Sequence, residues 1–91
     1  MNILFEEGRF YMEDEKGALI AEITYRQDGQ TLYANHTYTN PKYRGQSLAG
    51  LLLDRLVDFA RKNEYKIMPT CSYVVHKFDS NPQYDDINLR K

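Results

Sequence analysis

The stretch of residues 48–63 restricts this chain more than any other. Leu48, Leu52, Leu56, Phe59 and Ala60 recur at helical steps, with Leu51 and Val57 widening the stripe. Asp54, Arg55, Asp58, Arg61 and Lys62 fall on the other side. That period predicts a long amphipathic helix. Arg61 and Lys62 suit the carboxyl end of its dipole. A helix with one apolar stripe must bury it against a partner layer, and the preceding residues supply a sheet.

Three strands are expected upstream, at residues 9–12, 18–26 and 31–39. The polar run 13–17 reads as one hairpin turn, and Asp28-Gly29 as another. In the third strand Leu32, Ala34, His36 and Tyr38 are expected on one face, with Thr31, Tyr33, Asn35, Thr37 and Thr39 on the other. Downstream, residues 65–68 read as a short strand stopped by Pro69. Residues 71–79 read as a helix capped by Thr70 or Ser72, with Val74, Val75 and Phe78 on its buried side. Residues 83–89 read as a closing helical turn. The order β-β-β-α-β-α defines an α/β (α+β) fold: a three-stranded antiparallel meander, a long covering helix, a fourth strand parallel to the third, and a C-terminal helix.

With 91 residues, one domain over 1–91 is expected. Twelve basic against 13 acidic residues give no general pull toward nucleic acid or an anionic membrane. No apolar run reaches the roughly 18 residues of a membrane span. Cys71 is the lone cysteine, so no internal disulfide can form. No basic-then-apolar leader opens the chain, and a cytoplasmic location is expected. His36, His76, Cys71 and the carboxylates show no zinc-site spacing.

The segment joining the third strand to the long helix is the most informative for function. It reads Arg44-Gly45-Gln46-Ser47-Leu48-Ala49-Gly50. The first turn of a helix has amides without partners, and these attract phosphate. Gly45 permits a tight turn, Arg44 can add a charged hydrogen bond, and Ala49 and Gly50 keep the first turn slim. A nucleotide P-loop is excluded, because no Gly-Lys-Ser/Thr follows.

These residues resemble the Arg/Gln-x-x-Gly-x-Gly/Ala acetyl-CoA signature of the GNAT acyltransferase superfamily. The wider chain is similar to its very small single-domain branch, through Arg9-Phe10, residues 21–25, His36-Thr37, Ala60-Arg61, Pro69-Thr70-Cys71 and Asn81-Pro82-Gln83-Tyr84. The resemblance implies acetyl-CoA as cofactor, with its diphosphate on the amides of Gln46, Ser47, Leu48, Ala49 and Gly50. It implies a pantetheine arm beside Thr37, Tyr38 and Thr39, entering a splay between the third and fourth strands. Three departures stand out. Ser47 occupies the place of the second signature glycine. Tyr38 replaces a glutamate that often follows His-Thr in the branch, and Asn81-Pro82-Gln83-Tyr84 stands where His-Pro-Glu-Tyr is usual.

The reaction implied is N-acetyl transfer to an amine of a small molecule or protein. The alternative is a non-catalytic acyl-CoA-binding module, which the missing glutamate and histidine would fit. Cys71 is a candidate proton carrier or acyl acceptor, since a helix N-terminus stabilises a thiolate. His36 has the imidazole suited to acid–base work near neutrality, although its face-mates Leu32 and Ala34 suggest the core side. Tyr73 could reach the reacting thiol from the start of the second helix. Tyr38 and Tyr43 flank the expected cofactor groove. A monomer or weak homodimer is expected.

Overall fold

The computed structural model describes residues 2–91. Five strands form one sheet, in spatial order β1 (Leu4–Glu6), β2 (Arg9–Glu13), β3 (Leu19–Asp28), β4 (Thr31–Thr39) and β5 (Lys66–Pro69). Helix α1 (Leu48–Lys62) links β4 to β5, and α2 (Ser72–Ser80) follows β5. The first four strands are antiparallel, and β5 lies parallel to β4. The crossover and parallel pairing expected from the sequence are present.

The meander has four strands rather than three. β1 is only three residues long, with all three exposed, so it lacked the alternating signature of a strand. Pairing holds it instead, with Leu4, Phe5 and Glu6 opposite Tyr11, Phe10 and Arg9. The Phe5 ring lies 5.0 Å from Phe10 and 5.6 Å from Phe59.

The core lies between the sheet and the helices. Ala21, Ile23, Leu32, Ala34, Leu52, Leu53, Leu56, Ala60 and Ile67 are fully buried. On α1 the stripe is rotated from the expected one: Leu51 is 51 % exposed while Leu53 is buried. Leucine identity alone does not mark the inner face where four leucines share the six positions 48–53.

The face assignment in β4 also changes midway. Tyr25 pairs with Ala34, but Thr24 pairs with His36, leaving Asn35 as an extra residue. This β-bulge inverts the alternation beyond it. Leu32 and Ala34 point into the core, as expected. Thr37 now lies opposite buried Ile23, while His36 and Tyr38 lie opposite Thr24 and Glu22 on the outer face. The Thr24 hydroxyl donates to Asn35 Oδ1 at 2.6 Å and pins the bulge.

The end of the chain differs as well. Helix α2 starts after Cys71, which is the N-cap and makes no side-chain capping bond. Thr70 and Ser72 therefore do not cap it; the Thr70 hydroxyl donates to Ala34 O instead. The closing helical turn shortens to a 3₁₀ turn at Pro82–Tyr84. Beyond it the Ile67 amide donates to Ile87 O, and Leu89 N to Ile67 O, so the tail covers the outer edge of β5. Pro69 ends β5 from within, where a missing amide costs no ladder bond on the side the tail leaves free. No helix among the described residues is long and apolar enough to cross a membrane.

Candidate active site

The parallel pairing of β4 with β5 stops at Ala34 opposite Pro69, although β4 continues to Thr39. Ala34 O explains the stop. It accepts from Thr70 N at 3.0 Å, Cys71 N at 3.1 Å and the Thr70 hydroxyl at 3.1 Å. These bonds turn the chain out of the sheet, and residues 35–39 are left without a ladder partner on that side. A gap opens there, with Thr37 and Thr39 on its helix side.

Cys71 faces Thr37 across the gap, with Sγ 3.6 Å from Thr37 Oγ1. Burial alone would push the thiol's pKa up. The Thr37 hydroxyl and the nearby amides of Tyr73, Val74 and Thr37 outweigh it, and the thiol ends below its ordinary value. Cys71 stands at the N-terminus of α2, where the helix dipole acts in the same direction. Thr37→Val removes the largest of the stabilising contacts. It should raise the thiol pKa and slow alkylation of Cys71 by iodoacetamide at pH 7 several-fold, as measured by mass spectrometry over time. An unchanged rate would mean that Thr37 does not act on the thiol.

Tyr73 completes this corner. Its hydroxyl is 3.6 Å from where a Cβ on Gly50 would stand. Burial first, then the charges of Asp54 and Cys71, raise its pKa and keep the phenol protonated. That is an ordinary van der Waals distance, so Tyr73 touches this turn without requiring glycine at position 50. Tyr73 thus meets the start of α1 at Gly50, and Cys71 meets Thr37 on β4. His36 does not join them. It points from the outer face of β4, its side chain 54 % exposed, and the core-side expectation for it is overturned by the bulge.

The loop into α1 begins with a 3₁₀ turn at Pro41–Tyr43, whose Lys42 amide donates to Asn40 Oδ1 at 3.0 Å. Gly45 has φ +87° and Ser47, the N-cap of α1, has φ +57°. The left-handed region costs a non-glycine residue roughly 1–2 kcal/mol, and Ser47 bears that cost where the signature has glycine. Its side chain makes no capping bond. The first helical bond runs from Leu51 N to Ser47 O at 3.2 Å. Among the described residues no protein group accepts from the amides of Gly45, Gln46, Ser47, Leu48, Ala49 or Gly50. The first turn of α1 has no acidic side chain, and Arg44, Gly45, Gln46 and Ser47 are all exposed. An anion arriving there would meet amide hydrogens, a dipole of the right sign and no competing carboxylate in that turn.

A polar pair on the other side of α1 also escaped sequence reasoning. The Tyr84 hydroxyl donates to Asp54 Oδ1 at 2.7 Å, and burial together with this carboxylate pushes the Tyr84 phenol up to about 12. The pair ties the C-terminal segment to the outer side of α1. Nothing in the spacing of the two residues announces it. A groove of about 750 Å³ lies between β1 and α1 and includes Ile3, Leu4, Leu51 and Arg55. It contains none of the residues of the loop, of β4 or of the Cys71–Tyr73 corner, so its size does not make it the chemical centre.

Comparison with known proteins bears on this arrangement. The family model for GCN5-related N-acetyl-transferase matches residues 9–87. A GCN5-like protein from Staphylococcus aureus, solved by NMR, is 34 % identical over 97 % of this chain and 87 % of its own, with a TM-score of 0.83. A predicted acetyltransferase from Clostridium acetobutylicum, crystallised with acetyl-CoA, is 26 % identical over 72 % of this chain and 49 % of its own, with a TM-score of 0.55. A GNAT family N-acetyltransferase from Escherichia coli in complex with CoA is 23 % identical over 65 % of this chain and 37 % of its own. Its TM-score of 0.58 indicates a shared fold.

Proposed function

The chain belongs to the GCN5-related N-acetyltransferase family, and we propose that it transfers the acetyl group of acetyl-CoA to an amine of a small molecule or protein. The observation that carries this reading is the run of unclaimed amides from Gly45 to Gly50, placed beside the gap between β4 and β5. The donor set fits a diphosphate: several N–H groups, a helix N-terminus and the nearby cation Arg44. The acetyl-CoA held by a relative of 26 % identity supports the same cofactor.

In this reading Gln46, Ser47, Leu48, Ala49 and Gly50 bind the diphosphate through their amides, and Arg44 adds charge. Thr37, Tyr38 and Thr39 border the pantetheine arm along the unpaired edge of β4. Acetyl-CoA supplies a thioester open to an amine and a thiolate as leaving group. Three tasks fall to the chain: relieving the amine of a proton, stabilising oxyanion charge, and providing a proton for the thiolate. The free edge of β4 offers amides for the second task. Cys71 suits the third, because it holds at Sγ a proton made unusually acidic by Thr37 and the α2 amides. Tyr73 keeps its own proton and orients the Cys71 corner against α1. His36 takes the first task from the outer face. A working free thiol fits a reducing compartment, which favours the cytoplasm.

Calorimetric titration with acetyl-CoA, followed by amide chemical-shift mapping, tests the proposal. Saturable binding should move the resonances of residues 44–50 and 37–39 most. Absence of binding, or shifts confined to other regions, would refute it. Release of free CoA that depends on an added amine then distinguishes the enzyme from a passive binder.

A further inference from the structure

The outer face of the sheet carries a charged row that the cofactor loop does not use. Glu22 on β3 stands between Arg9 on β2 and His36 on β4. Arg9 Nη1 donates to Glu22 Oε1 at 3.0 Å, and Glu22 Oε2 lies 3.5 Å from His36 Nε2. Arg9 is itself held: it pairs with Glu6, and its guanidinium stacks 3.8 Å over the Tyr11 ring. The Glu22 side chain is only 18 % exposed, while His36 is 54 % exposed. One carboxylate is therefore fixed by a clamped arginine, and its second oxygen is presented to an accessible imidazole.

The bulge at Asn35 creates this meeting. Regular alternation would have turned His36 into the core and away from Glu22. The extra residue re-aims it, at the level where β5 leaves the sheet. His36 and Thr37 are neighbours in sequence on opposite faces of β4, and the gap joins those faces. Thr37 meets Cys71 on the helix side; His36 meets Glu22 on the open side.

We propose that Glu22 is a positioning residue for His36. It holds the imidazole at the open side of the gap and stabilises the imidazolium formed when His36 accepts a proton from the acceptor amine. This rests on the acyltransfer reading above and deepens it. The balance is simple. The amine nitrogen gives a proton to the free ring nitrogen of His36, while Nε2–H remains directed at the Glu22 carboxylate, which stays ionised. Arg9 keeps that carboxylate from turning away. Glu22 touches neither cofactor nor acceptor, so its effect should appear in turnover and not in cofactor affinity.

A double-mutant cycle tests this. Glu22→Gln preserves shape and an acceptor for Arg9 but removes the charge; His36→Gln alters an exposed site and should fold normally. Each single variant should lower kcat for amine-dependent CoA release about tenfold or more, with acetyl-CoA affinity by calorimetry unchanged. The double variant should be no slower than the His36→Gln variant, because Glu22 acts through that ring. Thermal unfolding run alongside reads any purely structural effect. Wild-type kcat in Glu22→Gln, or losses that multiply in the double variant, would overturn the proposal. Affinity for acetyl-CoA in the wild-type protein separates the two failures. Its absence would refute acyl transfer and this inference together, whereas full affinity with an indifferent Glu22→Gln variant would refute the inference alone.

Discussion

Replacing Cys71 with serine is expected to slow amine-dependent acetyl transfer by about 10²-fold, the lower range for a lost general acid or base. Acetyl-CoA affinity should stay within about threefold, the scale of one net hydrogen bond. The reasoning is local. Serine preserves size and can still meet the Thr37 hydroxyl, now 3.6 Å from Sγ. It cannot reproduce a thiol whose pKa lies below the ordinary range, since an aliphatic hydroxyl does not release its proton near neutrality. The cofactor amides belong to a different segment, Gly45–Gly50, which serine at 71 leaves alone. The pH profile sharpens the test. If Cys71 donates from Sγ, the wild-type rate should fall as pH rises through the thiol's lowered pKa, and that limb should vanish in Cys71→Ser. Initial rates of CoA release from pH 6 to 9, with calorimetry at one pH, check both statements. Unchanged turnover would remove Cys71 from the chemistry. A parallel loss of affinity would make it part of the cofactor groove instead.

How much of this could be read from the amino acids depends on the range of the interaction involved. The helix at 48–62, the two hairpin turns and the crossover to β5 follow from periodicity and turn chemistry, which act within a few residues. The loop before α1 was legible for the same reason: a glycine, a chain reversal and a helix start are neighbours in sequence. The outer-face position of His36 was not legible. It depends on one extra residue, Asn35, whose place is set by the pairing of β4 with β3 and by the Thr24–Asn35 contact. A single inserted residue reverses every later side chain in a strand, so the alternation rule failed at the bulge and nowhere earlier in β4. The Glu22–His36 and Asp54–Tyr84 pairs were invisible for a related reason. Each joins side chains that only the folded sheet or the docked tail brings together. β1 was missed because pairing, not composition, makes its three residues a strand.

Phe78→Ala is expected to cost the domain about 3–5 kcal/mol, the usual range for emptying a buried phenylalanine site. Phe78 is 1 % exposed, and its ring centroid lies 5.0 Å from that of Tyr84. Tyr84 in turn bonds Asp54 on α1. The ring is thus the point where α2, the C-terminal segment and the long helix share one core. A chain of 91 residues has on the order of 5–13 kcal/mol of stability to lose, so the melting temperature should drop by roughly 15–30 °C. Leu51→Ala provides the contrast. Its side chain is half exposed on α1, and truncation there should change stability by no more than about 0.5 kcal/mol, even though the sequence pattern placed Leu51 on the buried stripe. Denaturant titration of the two variants measures both. The functional consequence follows from the same packing. Cys71 and Tyr73 ride on the start of α2, and their register against Thr37 and Gly50 depends on that helix staying docked. Below its melting temperature the Phe78→Ala variant should therefore show faster alkylation of Cys71 than the wild type, as local opening of α2 exposes the thiol. A variant that melts within 5 °C of the wild type, with Cys71 equally protected, would mean that α2 is not anchored through Phe78 and that another contact holds the thiol at the gap.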